Sequence, residues 1–261
     1  MRPDVILLII LLALTYLFVV RYSRRHTCEG PVIALCDQSL YRHAAFTLGL
    51  LLLYVALGPL ALSAETQSFT AYVIQMLIMT MALPWLLVFS LPKLVFDSIL
   101  SIPWCRRTIR MCVHPALALV TFNALVSVTL IPPVLDVMLT VNWVHMLAQS
   151  ILFLSAIFFW WPLVSFFTQF PPLTRGRQLF YIVYSSNFMM PIIFLLFLAD
   201  HPWYSIYHIE TGPVLRLFPF SYASLADQQL GSIVMLVAMY IVYGSIAIRL
   251  YLHQDESIWY T

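Results

Sequence analysis

Sulfur and polar side chains occur together on the third apolar stretch of the chain. Tyr72, Met76 and Met79 are spaced four and three residues apart, with Gln75 beside them. In a helix this spacing puts them on one face. Thioether sulfurs suit Cu(I), so the stripe is a candidate ligand set for a soft metal ion. Methionine also fills gaps between packed helices, and packing is the alternative interpretation.

A histidine and a glutamine open the fifth apolar stretch. His145 and Gln149 are four residues apart, so in a helix they share a face. Polar groups inside a bilayer are costly and usually face other helices or a functional cavity. The alternative is a histidine at the lipid headgroups that bonds a backbone carbonyl. The sequence leaves both interpretations open.

The four cysteines do not have the spacing of a zinc site. Seven residues separate Cys28 from Cys36, and six separate Cys105 from Cys112, whereas structural zinc sites favour about two to four. All four fall in segments predicted to be cytoplasmic, where disulfides are rare. We expect ordinary reduced thiols.

Membrane helices must position these residues, because the composition excludes a soluble protein. The 261 residues are 62% hydrophobic and 9% charged, with a mean hydropathy of +0.92. In soluble domains about 45–50% of the residues are apolar and about 25% are charged. Crossing about 30 Å of hydrocarbon takes roughly 20 apolar residues. The stretches that qualify are Val5–Val20, Ala44–Ala61, Ala71–Leu91, Cys112–Ile131, Val144–Phe166, Leu179–Leu198 and Leu230–Leu250. The sequence therefore predicts an all-α, polytopic membrane bundle of about seven transmembrane helices, with residues 1–261 forming one integral membrane domain.

Three local features refine this prediction. Pro84 and Pro191 lie inside apolar stretches and predict kinks. Leu91–Trp104 mixes apolar and charged residues and predicts an amphipathic segment at the headgroups. His201–Gln229 is long enough to fold over the ends of the helices.

Basic residues are distributed unequally between the two sets of loops. The odd-numbered loops and the C-terminal tail carry eleven: Arg21, Arg24, Arg25, Arg42, Lys93, Arg106, Arg107, Arg110, Arg175, Arg177 and Arg249. The opposite side carries only Arg2 and Arg216. Because Lys and Arg are retained in the cytoplasm, we predict the N-terminus outside, the C-terminus in the cytoplasm, and a multi-pass location in the inner (cytoplasmic) membrane.

Several function classes lack support in the sequence. A net charge of +2 indicates no nucleic-acid partner; the partner that the composition implies is the lipid bilayer. The sequence has no G-x-S-x-G, no H-E-x-x-H and no pair of carboxylates within a helix, so we expect no enzyme. The helix interiors lack charged residues, and we detect no inverted repeat, which argues against a small-molecule or metal transporter.

Four motifs in the second half of the chain carry a resemblance. They are His145-Met-Leu-Ala-Gln149, Phe159-Trp160-Trp161-Pro162, Leu173-Thr174-Arg175-Gly176-Arg177 and Asp227-Gln228-Gln229-Leu230-Gly231. Upstream, Arg42-His-Ala-Ala-Phe, Gly49, Pro84 and His114-Pro115 continue the pattern. In this order the chain resembles the seven-helix CtaG family of assembly factors for haem-copper cytochrome c oxidases. The resemblance implies a membrane protein of the respiratory chain that acts as a chaperone, delivering copper to an oxidase, with oxidase subunits or assembly intermediates as partners.

The chain departs from the family at the histidines near the outer helix ends. Tyr72 and Met76 stand where the family pattern has two histidines, and Thr129 and Leu130 stand where it has a Trp-His pair. In the fifth helix His145 matches, but its partner is Gln149. The hypothetical Cu(I) site that the resemblance leaves is formed by His145, Met76 and Met79. The residues expected around it, orienting ligands or capping the last helix, are Asp227, Gln149, Tyr72 and Gln228.

A copper-free protein is the alternative that the same departures suggest. Such a divergent member would act as an accessory or scaffold protein of the respiratory chain by docking on the oxidase. Trp160, Trp161 and Pro162 would then serve helix packing and interfacial anchoring, and Asp227 would cap the seventh helix, since an acidic residue suits a helix N-terminus.

Overall fold

The computed structural model describes residues 3–26, 32–61, 68–90, 100–164, 173–208 and 224–252. These residues are almost entirely helical, and within them there is no β-strand. The helices are α1 (Pro3–His26), α2 (Val32–Leu57), α3 (Phe69–Ser90), α4 (Pro103–Cys112), α5 (Pro115–Thr129), α6 (Pro132–Thr140), α7 (Asn142–Val164), α8 (Arg175–Phe197) and α9 (Ser224–Leu252). A 3-10 turn, Ser205–His208, follows α8.

Six of the described helices are long and apolar enough to cross a membrane, and a seventh span exists if α4 and α5 count as one bent span. The predicted all-α, multi-pass fold is thus confirmed. Several helices extend past the predicted apolar stretches, as α1 does through Arg21 to His26, because backbone hydrogen bonding continues where the hydrocarbon ends.

The fourth predicted span, Cys112–Ile131, is not one straight helix. The axes of α4 and α5 differ by 69°, and His114 between them is extended, with a ψ of 123°. Pro115 explains the break, because a proline disfavours helical geometry in the residue before it. α5 alone has 15 residues and rises about 22 Å, less than the hydrocarbon thickness.

Two shorter helices, α4 and α6, flank α5. α4 begins at the end of the segment predicted to be amphipathic; residues 91–99 of that segment lie outside the described residues, and Trp104, Arg106 and Arg107 on α4 are exposed. α6 was not predicted from the sequence. Pro132 starts it, as proline often starts a helix.

α3 contains a π-helical turn at Ile78–Ala82, directly before Pro84. Pro84 has no N–H to donate to the Thr80 carbonyl four residues earlier. The indole N–H of Trp160 donates to that carbonyl at 2.7 Å. An aromatic residue of α7 thereby satisfies the backbone group that the proline leaves without its usual donor.

α3 is the centre of the bundle. Most of its side chains from Phe69 to Thr80 are buried, and it packs along α9 and, through its second half, against α2 and α7. α1 packs against α2, and many of its large apolar side chains are exposed, as lipid contact requires. The deepest core therefore lies between α3, α5, α7, α8 and α9.

Candidate functional site

Asp227 joins the N-termini of two helices. It lies in the first turn of α9 and is 4% exposed. Its carboxylate accepts hydrogen bonds from the Ser68 hydroxyl at 2.8 Å, from the Phe69 N–H at 2.6 Å and from the Thr70 N–H at 3.4 Å. The sequence predicted a cap for Asp227's own helix; the hydrogen bonds of the carboxylate go to α3.

Ser68 completes this arrangement as the N-cap residue of α3. Its hydroxyl accepts from the Ala71 N–H at 3.2 Å while it donates to Asp227. The hydroxyl of Thr70 donates to the Asp227 backbone carbonyl at 2.9 Å. A carboxylate at a helix N-terminus satisfies free amides and suits the helix dipole, so this junction fixes α3 against α9.

The two glutamines after Asp227 bind the end of α8. The Gln228 amide donates to the Leu196 carbonyl at 3.1 Å, and its oxygen accepts from the Trp203 N–H at 2.8 Å. The Gln229 amide donates to the Phe197 carbonyl at 3.2 Å. The last carbonyls of a helix lack partners within it, and here α9 supplies them.

Gly231 permits the close approach of α9 to α3. A Cβ atom at this position would lie 2.7 Å from Cδ1 of Phe69, which is shorter than any ordinary contact. Gly244, further along the same helix, has open space where its Cβ would be. The glycine of the Asp-Gln-Gln-Leu-Gly motif thus has a packing role that sequence reasoning missed.

Tyr72 lies under this junction with no exposed surface. Its hydroxyl faces Thr129 of α5 without a hydrogen bond of regular geometry. The structure therefore brings together two positions at which the resemblance implies histidines or a Trp-His pair in the family. The ring of Phe69 stacks on the ring of Tyr204, with a distance of 4.6 Å between the ring centroids.

The segment after α8 covers this end of the bundle, as predicted for the first part of His201–Gln229; residues 209–223 lie outside the described residues. Tyr204 donates from its hydroxyl to the Leu130 carbonyl at 2.7 Å. Burial raises the pKa of Tyr204 above its ordinary value, with smaller contributions from Tyr72 and Asp136.

Buried polar groups collect in the same half of α3 and the start of α7. Gln75 is 1% exposed, and neither atom of its amide has a hydrogen-bond partner among the described residues. The amide nitrogen of Gln149 is likewise buried without one. Buried polar groups without a partner are rare in native proteins, so these two amides are candidates for contact with a bound species. His145 is half-buried in the first turn of α7.

The two methionines of the predicted stripe belong to different clusters. Met76 packs in the main core with Tyr72. Met79 packs with Ala56 and Leu83 in a smaller cluster. The π turn that begins at Ile78 changes the helical register between the two clusters. The metal site of His145, Met76 and Met79 stays a prediction.

The Trp-Trp-Pro residues lie toward the other end of α7. Trp160 is buried in the main core, and Trp161 packs with Val113, where α4 meets α5. The Pro162 carbonyl accepts from the Leu173 N–H at 3.2 Å. Arg175 and Arg177, which follow in the chain, are exposed at the start of α8. These two arginines therefore lie at the end of α8 opposite to the Asp227 junction, where Gln228 bonds the Leu196 carbonyl.

In the described part of the chain, no group of three or more His, Cys, Asp or Glu is arranged so that it could hold a metal ion. Cys105 and Cys112 are free thiols.

Comparison with known proteins decides the family. Residues 14–254 match the family model described as cytochrome c oxidase caa3 assembly factor (Caa3_CtaG). The chain belongs to this family. No curated protein and no solved structure is significantly similar to it. The match to Caa3_CtaG includes five of the six long membrane helices in full and α1 from residue 14 onward, so the family indicates an assembly factor for cytochrome c oxidase.

Proposed function

We propose that this chain is an assembly factor of the inner (cytoplasmic) membrane that supplies copper, as Cu(I), to a haem-copper cytochrome c oxidase. The match of residues 14–254 to the Caa3_CtaG family carries the proposal. Thioether-rich helices support it, because thioethers prefer Cu(I) among biological metals. Copper is here the cargo and the oxidase the recipient.

The proposed place of transfer is the end of the bundle at the Asp227 junction. The distribution of Lys and Arg supports an outward orientation of this end. The segment around Tyr204 covers it, and buried amides on α3 and α7 provide polar groups beneath that cover. Oxidase subunits or assembly intermediates are the proposed partners, with the surrounding bilayer holding both in one plane.

A copper-free scaffold is the second candidate function, and one observation favours it. Tyr72 and Leu130, which replace family histidines, have no exposed surface, and Asp227 is fully engaged with the amides of α3. These groups form a buried junction between helices, as a docking scaffold needs, and none of them is exposed to receive copper. Copper analysis of the purified chain separates the two functions.

Deletion of the gene tests the assembly role. We expect oxidase activity to fall while oxidase transcript levels stay unchanged, because the defect lies in maturation. The measurement is oxidase activity in membranes from cells grown under copper limitation and under copper sufficiency. A plasmid that expresses the intact chain is the control and should restore activity.

Intact oxidase activity at both copper levels after deletion would contradict the assembly role. A transporter predicts a different result, namely copper uptake into proteoliposomes that contain this chain and no oxidase. Affinity purification of the tagged chain, with identification of co-purified oxidase subunits, reports the partner in the same cells.

A further inference from the structure

The interior of the bundle contains a small cavity lined largely by methionines. Its volume is about 10 Å³, room for roughly one water-sized particle or ion. Half of its ten lining residues are methionines, although the whole chain has only 11. The five are Met76, Met81, Met189, Met235 and Met239. We call them the methionine cage.

Three helices contribute these side chains. Met76 and Met81 come from α3, Met189 from α8, and Met235 and Met239 from α9. Four of the five are at most 4% exposed, and Met81 is half-buried. Sequence reasoning found Met76 alone, because the others lie more than 100 residues away or on another part of the helix.

The π turn of α3 helps to assemble the cage. Residues five apart in a regular α-helix diverge by about 140°, so Met76 and Met81 would not line one cavity. The π turn at Ile78–Ala82 adds one residue to this turn of the helix. Met81 thereby comes to the same side of α3 as Met76. π-helical turns inside α-helices occur frequently at functional sites.

Neutral polar groups lie beside the cage. Tyr243 lines the cavity, and its hydroxyl shares a hydrogen bond of 3.1 Å with Ser185, whose hydroxyl also donates to the Asn123 side-chain oxygen at 3.1 Å. Thr80 lines the cavity too. None of the lining residues is a carboxylate.

We propose that the methionine cage binds one Cu(I) ion inside the bundle, which rests on the copper cargo proposed above. Thioethers are soft, uncharged donors that suit Cu(I). A site without carboxylates does not offset the desolvation of a divalent ion, whose cost rises with the square of the charge. The cage thus selects for a soft monovalent ion. It is distinct from His145, which lies in the first turn of α7.

Cu(I) binding by the purified full-length chain tests the cage. The protein in detergent is loaded with Cu(I) under anaerobic, reducing conditions and then competed with a Cu(I) chelator. We expect one copper per chain and an X-ray absorption spectrum dominated by sulfur neighbours. The triple variant Met76→Leu/Met235→Leu/Met239→Leu should bind Cu(I) with at least roughly tenfold lower affinity. Changing residues that only surround the ligands of a metal already lowers affinity by about 10- to 100-fold. Leucine conserves the packed volume and removes only the sulfur.

Two control variants separate the cage from other effects. Met138→Leu changes a methionine that is 2% exposed but lies outside the cage, and should retain copper. His145→Ala distinguishes the cage from the predicted site of His145, Met76 and Met79: copper bound as tightly as by the intact chain supports the cage, and loss of copper overturns it in favour of that site. Retention of stoichiometric copper by the triple variant, or nitrogen neighbours dominating the spectrum of the intact chain, overturns the proposal. The X-ray absorption spectrum is recorded on the intact chain. It therefore tests the proposal even if the triple variant does not fold.

The cage and the assembly role fail in different ways. Sulfur-bound copper in the purified chain, together with unchanged oxidase activity after deletion, keeps the cage and rejects the assembly role. A chain that binds no copper rejects the cage, while reduced oxidase activity after deletion would still support a copper-free assembly factor.

Discussion

At the scale of single residues, Asp227 joins two helices through four hydrogen bonds. Its carboxylate accepts three hydrogen bonds from the start of α3, and its backbone carbonyl accepts a fourth from Thr70. The carboxylate is buried, so a partner left without its hydrogen bond carries the cost of desolvation. One side chain therefore determines how two helix ends meet.

Replacing Asp227 with asparagine should lower the stability of the chain by about 1–3 kcal/mol. The amide has no charge, and its NH2 group would face the N–H and O–H donors at the start of α3. The measurement is the apparent melting temperature of the detergent-purified protein. Asp200→Asn is the matched control, because Asp200 is exposed after the end of α8, and should change little. Equal melting temperatures for the two variants would contradict a structural role for the Asp227 carboxylate.

At the scale of elements, the approach of α9 to α3 depends on a position without a side chain. Gly231 faces the ring of Phe69, and the hydrogen bonds of Asp227 lie one turn away on the same helix. Close contact and hydrogen bonding thus support each other. Small residues commonly allow such approach between membrane helices.

The substitution Gly231→Ala should destabilise the chain by about 1–3 kcal/mol, since the added methyl group overpacks against Phe69. Gly244→Ala on the same helix meets no atom within 4 Å and should be neutral or stabilising, because alanine favours a helix over glycine. The two variants are compared by thermal unfolding in one detergent. If the alanine at position 231 is tolerated as well as the one at 244, the close packing described here is wrong.

At the scale of the whole molecule, orientation in the membrane connects structure to function. The basic residues Arg106, Arg107 and Arg177 lie at one end, and the Asp227 junction lies at the other. Copper delivery to the outer side of an oxidase requires that junction to face outward. The charge distribution predicts this orientation.

Thiol labelling measures the orientation directly. In a chain with Cys28, Cys36 and Cys112 replaced by serine, an impermeant maleimide should label Cys105 in inverted vesicles and not in right-side-out ones. Trp143→Cys in a cysteine-free chain places the thiol at an exposed position at the start of α7 and should give the reverse pattern. Labelling of Cys105 from the outside would place the Asp227 junction in the cytoplasm and remove the proposed route of transfer.

The sequence by itself determined the membrane class, the approximate spans and the family. The length of an apolar stretch and the order of the motifs can be recognised without knowing which residues are in contact in the folded protein. Asp227, Trp160 and His145 were all singled out in this way. The break before Pro115 could also have been found, because proline restricts the residue before it.

Only the tertiary structure decided which of these residues meet. Asp227 contacts Ser68 across a sequence separation of 159 residues, and the methionine cage draws on three helices. Amphipathic patterns that show which side of a helix is buried are weak here, because lipid accepts apolar side chains as readily as the core does. Helix neighbours and register follow from interlocking shapes, such as Gly231 against Phe69, and from the π turn in α3, and none of these has a periodic signal in the sequence.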